Sequence, residues 1–195
     1  MYKNKNYIIL SSVDWDTHKQ LHHALTKHLV DTGGRVLFVE NTGTRSLRFA
    51  DIDRVTHRIR NILKSKSGFT KKNKKLTVFT PLFIPFHFNF FVKRINNFIV
   101  AGRILDWIKY EQFENPIIIN FLPNPITKNI LNSLASSAKI YFMADNMTIN
   151  SPKRIEMEKI EKNILNNSDF IFYTSGLLKK NLKILIKKTK FYQAE

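Results

Sequence analysis

Asp14, Trp15, Asp16 and His18 stand together near the start of the chain, in the stretch SSVDWDTHKQLHH over residues 11–23. A carboxylate or imidazole held beside a hydroxyl group can act as its general base, and Asp14 and His18 are the candidates for that role. Capping of the following helix by Asp14 or Asp16 is the competing reading. Asp14, His18 and His22 also recur at i, i+4 and i+8, close to one helical face, where they could ligate a metal. His22 lies two turns from the strand end, and neighbouring His23 and His28 read as a helix that tolerates histidine, so no metal site is expected. Trp15 in a polar loop is either an anchor on the core or an apolar platform for a sugar or lipid ring. Further along, Asn120, Asn124, Asp145 and Asn146 offer amide and carboxylate groups that suit a polyhydroxylated ligand, with turn formation the competing role of each asparagine. There is no GxSxG, no HExxH and no helix of paired carboxylates, so hydrolase chemistry has no support.

These residues need a scaffold, and the pattern around them supplies one. An apolar run over 7–10, a polar loop, a helical pattern over about 17–31 ended by Gly33-Gly34, and a second apolar run over 36–39 make a βαβ unit. Such a unit demands a parallel sheet and a right-handed crossover. Ligands of open parallel sheets bind outside the carboxyl ends of the strands, which puts the loop over 11–16 at the ligand edge. In the first helix Thr17 is the expected N-cap, and Leu21, Ala24, Leu25, His28 and Leu29 form the inward stripe. A loop over 40–44 precedes a second helix over 48–66, with Ile52, Val55, Ile59 and Leu63 inward. A basic turn over 70–75 leads to a strand over 76–80. An apolar loop with Phe83, Phe86, Phe88, Phe90 and Phe91 follows, then a helix over about 90–112 whose apolar positions are Ile95, Phe98, Ile99, Ile104, Leu105 and Ile108.

Strands over 117–121, 139–143 and 170–174 alternate with helices over 126–135, from Ser151-Pro152 to about 166, and from Gly176 to about 188, after which no further strand is expected. The expectation is one Rossmann-like α/β domain over residues 1–195, about six parallel strands with helices on both faces. A dinucleotide-binding Rossmann domain places glycines after strand one so that backbone N–H groups can approach a pyrophosphate. Here that loop has no glycine and two carboxylates that repel phosphate, so no dinucleotide site is expected although Glu40 stands where a ribose-binding acid would.

Charge is the strongest global signal. The 195 residues carry 32 Lys and Arg against 15 Asp and Glu, a net charge of +17. Twelve Lys or Arg and no acid fall between residues 54 and 105, and six Lys and no acid between 176 and 194. Such a field attracts polyanions, either nucleic acid or the anionic lipids of a cytoplasmic leaflet, and a solvated basic surface is the plain alternative. No run approaches the roughly 18 apolar residues of a membrane span, and the N-terminal run is too short for a signal peptide. The chain has no cysteine, which excludes disulfides and thiolate chemistry and fits a reducing compartment.

Several of these pieces, in this order, resemble the N-terminal, acceptor-side domain of GT-B fold glycosyltransferases of bacterial teichuronic acid and exopolysaccharide biosynthesis. The pieces are Ser12-Val13-Asp14-Trp15-Asp16 after strand one and Gly34-Arg35-Val36-Leu37-Phe38-Val39-Glu40 at strand two, Pro81-Leu82-Phe83-Ile84-Pro85 after strand three, and Arg94-Ile95-Asn96 in the third helix. Ile140-Tyr141 with Asp145, and Asp169 to Ser175 with Leu178 and Lys179, complete them, so that about residues 7–182 are covered. The family usually carries acids where this chain has Phe142 and Asn146, which argues against a catalytic role for Asp145.

The resemblance implies transfer of a sugar from a nucleotide-sugar donor to a cell-surface polysaccharide or lipid-linked acceptor. Asp14 and His18 would then be catalytic, and Trp15, Asn120, Asn124, Asp145 and Asn146 acceptor-binding. It also implies that the nucleotide sugar is a co-substrate of the complete enzyme, that this domain itself binds no cofactor, and that the nucleotide-sugar domain is absent from these 195 residues. The chain alone is then expected to be inactive, being either a truncated or split gene product, a single domain taken from a longer protein, or a half that works with a separate donor-domain chain. The basic region over 54–105 would face an anionic membrane, giving a cytoplasmic protein peripheral to the inner face of the cell membrane. The alternative is a basic nucleic-acid-binding protein or a non-catalytic Rossmann-like scaffold. Nucleic acid is not the expected partner, since no RNA or DNA motif is present.

Overall fold

The apolar run after residue 6 becomes the centre of a sheet. A computed structural model describes residues 5–41, 68–82, 89–149, 151, 153–185 and 191–194. Its first strand, β1 (Asn6–Leu10), pairs in parallel with β2 (Arg35–Val39) on one side and β5 (Ile117–Asn120) on the other. β2 continues in parallel to β4 (Leu76–Phe79), which carries the antiparallel edge strand β3 (Phe69–Lys71). On the far side β5 is followed, all in parallel, by β6 (Ala138–Met143), β7 (Phe170–Tyr173) and β8 (Tyr192–Gln193). The order is β3-β4-β2-β1-β5-β6-β7-β8. The chain thus winds outward in one direction from β1 and then in the other from β5, and the reversal between them is where open α/β sheets place ligands.

This is an α/β fold with an eight-stranded, mostly parallel sheet, compatible with a Rossmann-like domain. The expected six strands are all present; β3 and β8 correct the count. Both additions are edges. β3 is docked by Phe69, which stacks on Phe79 at 4.2 Å and Trp107 at 5.6 Å, while Thr70 and Lys71 stay exposed, the polar habit of an edge strand. β8 has two residues, with Tyr192 against Phe172 at 5.5 Å.

The interior strands are continuously apolar because both faces are covered. Tyr7, Ile9, Val36 and Phe38 pack with Leu29 of α1 (Leu21–Asp31). Ile8, Leu10, Leu37 and Val39 face the other way, onto α2 (Phe90–Tyr110), α3 (Pro125–Ser133), α4 (Arg154–Asn166) and α5 (Gly176–Leu185). The expected helix over 48–66, residues 42–44, the phenylalanines 83, 86 and 88, Pro152 and residues 186–188 lie outside the described residues.

Two helices depart from their expected faces. α1 begins at Leu21, four residues later than expected, and Thr17 is not its N-cap: Gln20 is, while the Thr17 hydroxyl donates to the Asp14 carbonyl at 2.7 Å. Its buried residues are His22, His23, Thr26 and Leu29, whereas Leu21, Ala24 and His28 are exposed. Two imidazoles replace the expected aliphatic stripe because each has an aromatic partner, His22 on Phe121 at 4.1 Å and His23 on Phe38 at 5.6 Å. In α2 the inward residues are Asn96, Val100, Ala101, Ile104 and Trp107, and Ile95 and Phe98 stand outside. Among the described residues no helix is long and apolar enough to cross a membrane.

Gly33 and Gly34 end α1 as the sequence requires. Gly33 has φ of 100°, its N–H donates to the Val30 carbonyl, and the Gly34 N–H reaches back to the Leu29 carbonyl, the paired bonds of a Schellman ending. Gly34 is also where helix and strand approach: a Cβ there would stand 2.7 Å from the Tyr7 ring and 2.9 Å from the Leu29 carbonyl. Gly102 in α2 has open space instead. Gly34→Ala should therefore lower the unfolding free energy by about 1–3 kcal/mol, while Gly102→Ala should raise it by up to ~1 kcal/mol through helix propensity. Denaturant titration followed by circular dichroism measures both; equal effects would show that the close approach at Gly34 is not a constraint.

Candidate functional site

The connection leaving β1 is closed on itself by side chains. The Val13 N–H donates to Ser11 Oγ at 3.0 Å, and the Trp15 N–H donates to Glu40 Oε1 at 2.8 Å. Glu40, buried just past the end of β2, thereby ties that strand to the loop. The Trp15 ring lies edge-on to Phe38 at 5.0 Å and near His23 at 5.3 Å, with Lys19 Nζ 4.9 Å from its centre. Of the two roles open to Trp15, the anchor on the core is the one its contacts make.

His23 fixes the start of α1. The Gln20 N–H donates to His23 Nδ1 at 3.1 Å, so that nitrogen holds a lone pair and the proton sits on Nε2, which donates to the Trp15 carbonyl at 3.1 Å. Burial and nearby Lys19 lower its pKa, which keeps this neutral tautomer in place. His22 is buried more deeply, and burial, assisted by His23, lowers its pKa to about 4. Its Nε2 lies 3.0 Å from Ser12 Oγ, and its buried Nδ1 has no hydrogen-bond partner. A buried N–H is harder to leave unpaired than a lone pair. The favoured tautomer therefore donates from Nε2 to Ser12 Oγ and leaves the Ser12 hydroxyl proton for another acceptor at the strand end. Sequence reasoning did not find this Ser12–His22 pair, because a helix beginning at Thr17 places His22 away from the strand. A histidine doublet at the true helix start was the available signal.

The expected site residues lie along one edge but differ in what their side chains do. Asp14 is half-buried in the loop and His18 is exposed in the irregular segment before α1. Neither stands on a helix, so the shared helical face of Asp14, His18 and His22 does not form. Asp16 faces Lys72 at 3.3 Å, and neither it nor Asp14 caps α1. After β5, buried Asn120 closes its own turn, donating from Nδ2 to the Leu122 carbonyl at 2.9 Å and accepting the Leu122 N–H at 3.0 Å. Asn124 caps α3 by accepting the Thr127 N–H at 2.8 Å. After β6, exposed Asp145 accepts the Asn146 N–H at 2.7 Å, and Asn146 accepts from the Thr148 hydroxyl at 2.9 Å. Asn120 and Asn124 are thus buried, while Asp14, Asp16, His18, Asp145 and Asn146 reach solvent at least in part. A shallow depression of about 240 Å³ lined by Lys5, Asn6, Glu114, Asn115, Ile117 and Ser137 sits at the opposite end of β1 and β5, away from these residues.

The chain matches no protein-family model and no curated protein.

Behind the edge, on the face of β6 covered by α4, a second buried polar pair was not foreseen. The Tyr141 hydroxyl donates to Glu161 Oε1 at 2.6 Å, and Glu161 Oε2 has no partner. Burial, reinforced by Glu158, raises the Glu161 pKa to about 7 against the opposing effect of the Tyr141 bond. The two buried groups pull stability in opposite directions. For His22 the unfolded chain binds the proton first, so its contribution is lost as pH falls from about 6.5 to about 4. For Glu161 the folded chain holds the proton longer, so its contribution is lost as pH rises from about 4.5 to about 7. Urea unfolding of wild type and Glu161→Gln across pH 4.5–7 should show the variant gaining on the wild type as pH rises, by on the order of 3 kcal/mol at full linkage. A stability difference independent of pH would refute the buried, proton-holding carboxyl.

Proposed function

We propose that this chain is the acceptor-binding half of a GT-B-type glycosyltransferase, acting on a cell-surface polysaccharide or lipid-linked acceptor. The observation that carries the reading is the β1–α1 connection at the switch point of the sheet. The N–H groups of Val13 and Trp15, which a phosphate would need, are taken by Ser11 and Glu40. Glu40 is turned onto the loop, and the Gln20 N–H at the start of α1 is taken by His23. An edge with these three backbone donors occupied and carboxylates at Asp14 and Asp16 is less suited to a diphosphate than to neutral hydroxyl groups. This supports a division of labour in which a second domain, on another chain or segment, holds the nucleotide sugar.

In that reading the acceptor lies against the loop over 12–18 and Asp145. An acceptor hydroxyl oxygen attacks the anomeric carbon of the donor sugar, the bond from that carbon to the nucleotide phosphate breaks, and Asp14 or His18 takes the hydroxyl proton. Ser12, held by His22, orients the sugar through its free hydroxyl proton. The reaction uses a cytoplasmic nucleotide sugar, which places the protein on the inner side of the cell membrane.

The test is sugar transfer from a radiolabelled nucleotide sugar to a lipid-linked acceptor, with the chain supplied alone or together with a donor domain. The expected result is no transfer by the chain alone and transfer by the pair. Asp14→Asn or His18→Gln should reduce the rate roughly 10²–10⁴-fold, the usual weight of a general base. Undiminished transfer in both variants would remove these residues from catalysis, and transfer by the isolated chain would contradict the division of labour.

A further inference from the structure

α2 is apolar on the side that leaves the protein as well as on the side that enters it. Asn96, Val100, Ala101, Ile104 and Trp107 pack inward. On the outer side Phe91, Ile95 and Phe98 are 73, 46 and 83% exposed. Gly102 follows, with no described atom within 4 Å of the position a Cβ would take, and then half-buried Leu105 and exposed Lys109. From Phe91 to Lys109 these six residues are spaced four, three, four, three and four apart, the step of a coiled-coil seam. Single exposed apolar residues are ordinary, but a seam of this kind marks a contact surface.

The seam is complementary to itself when two copies run antiparallel. About a midpoint at Val100, the ring of Phe98 falls on the open notch at Gly102 of the second copy, and Gly102 receives the second Phe98 in return. Ile95 falls beside Leu105, and Phe91 beside the aliphatic stem of Lys109, each contact being repeated by the two-fold axis. Charge selects the same direction. Arg94 is exposed towards one end of the helix and Asp106 towards the other, so the antiparallel pair brings Arg94 into the layer of Asp106 of the second copy. The two Arg94 residues then stand twelve residues apart along the pair. That is about 18 Å at ~1.5 Å per residue, well beyond the ~8 Å over which charge acts at physiological salt. A parallel pair would set Arg94 beside Arg94 and Phe98 against Phe98, leaving both notches empty. We infer that the outer face of α2 is a self-association surface, on which a second copy of this chain docks in antiparallel register with Phe98 seated at Gly102. The inference does not depend on glycosyl transfer.

The test is sedimentation velocity of the 195-residue chain across a dilution series at low and high salt. The expected result is a monomer–dimer equilibrium in which the dimer gains with salt, because salt screens the repulsion between two chains of net charge +17. Gly102→Leu fills the notch in open space, so the fold should stand while dimerisation weakens roughly tenfold or more. Phe98→Ala in the Gly102→Leu background should recover part of that loss, since the two positions face each other across the pair. The chain has no cysteine, so oxidation reads the register directly. Ile95→Cys mixed with Leu105→Cys should give a disulfide-linked dimer, and neither variant alone should. A chain that stays monomeric throughout overturns the inference, as does a dimer unaffected by Gly102→Leu or a mixture that does not cross-link. A monomer that binds anionic vesicles or RNA, and loses that binding with Gly102→Leu, overturns it by assigning the face to another partner. Should Gly102→Leu melt early, the cysteine mixture decides.

Discussion

The seam between α1 and the carboxyl ends of the central strands is held by buried polar groups, and the geometry of the ligand edge depends on them. A buried donor or acceptor must find a partner or carry the full penalty of lost hydration. Here the partners come from different elements. Glu40 at the end of β2 takes the Trp15 N–H, and His23 of α1 bonds both the Trp15 carbonyl and the Gln20 N–H. His22 bonds Ser12 and packs on Phe121 at the end of β5. One loop is therefore pinned to two neighbouring strands and a helix, and α1 cannot begin before Gln20 without breaking the His23 bonds. The late start of the helix, the inward histidines and the occupied backbone donors are one arrangement.

The central strands were legible because burial on both faces writes them as unbroken apolar runs, and Gly33-Gly34 marked the end of α1 because one glycine takes positive φ and the next allows close approach. β3 and β8 were not legible. An edge strand needs only one apolar contact, Phe69 or Tyr192, and is otherwise as polar as a turn. The faces of α1 and α2 failed for one reason: periodicity assumes that apolar residues turn inward. α1 turns histidines inward because aromatic rings and carbonyls await them, and α2 has more apolar residues than one face can bury.

The site was legible in location more than in detail. The glycine-free acidic loop marked the edge of β1, and its Val13 and Trp15 N–H groups are taken by Ser11 and Glu40. At Asn120 and Asn124 residue type alone could not separate a ligand contact from a turn or cap; the bonds to Leu122 and Thr127 engage both side chains locally. Ser12 and His22 are ten residues apart with nothing periodic to join them, and only the delayed helix start brings them within 3.0 Å. Glu161 likewise reads as one more charge on a polar helix until Tyr141, on β6, is placed against it.

The central claim is that this edge takes a hydroxyl-rich acceptor and not a nucleotide. Titration of the isotope-labelled chain with neutral oligosaccharides and, separately, with nucleotide sugars, followed by amide chemical shifts, tests it most directly. The account expects oligosaccharide to move the amides over 12–18 and at Asp145 and Asn146 while nucleotide sugar leaves them unchanged. Nucleotide-sugar shifts centred on the loop over 11–16, with none from saccharide, would contradict it.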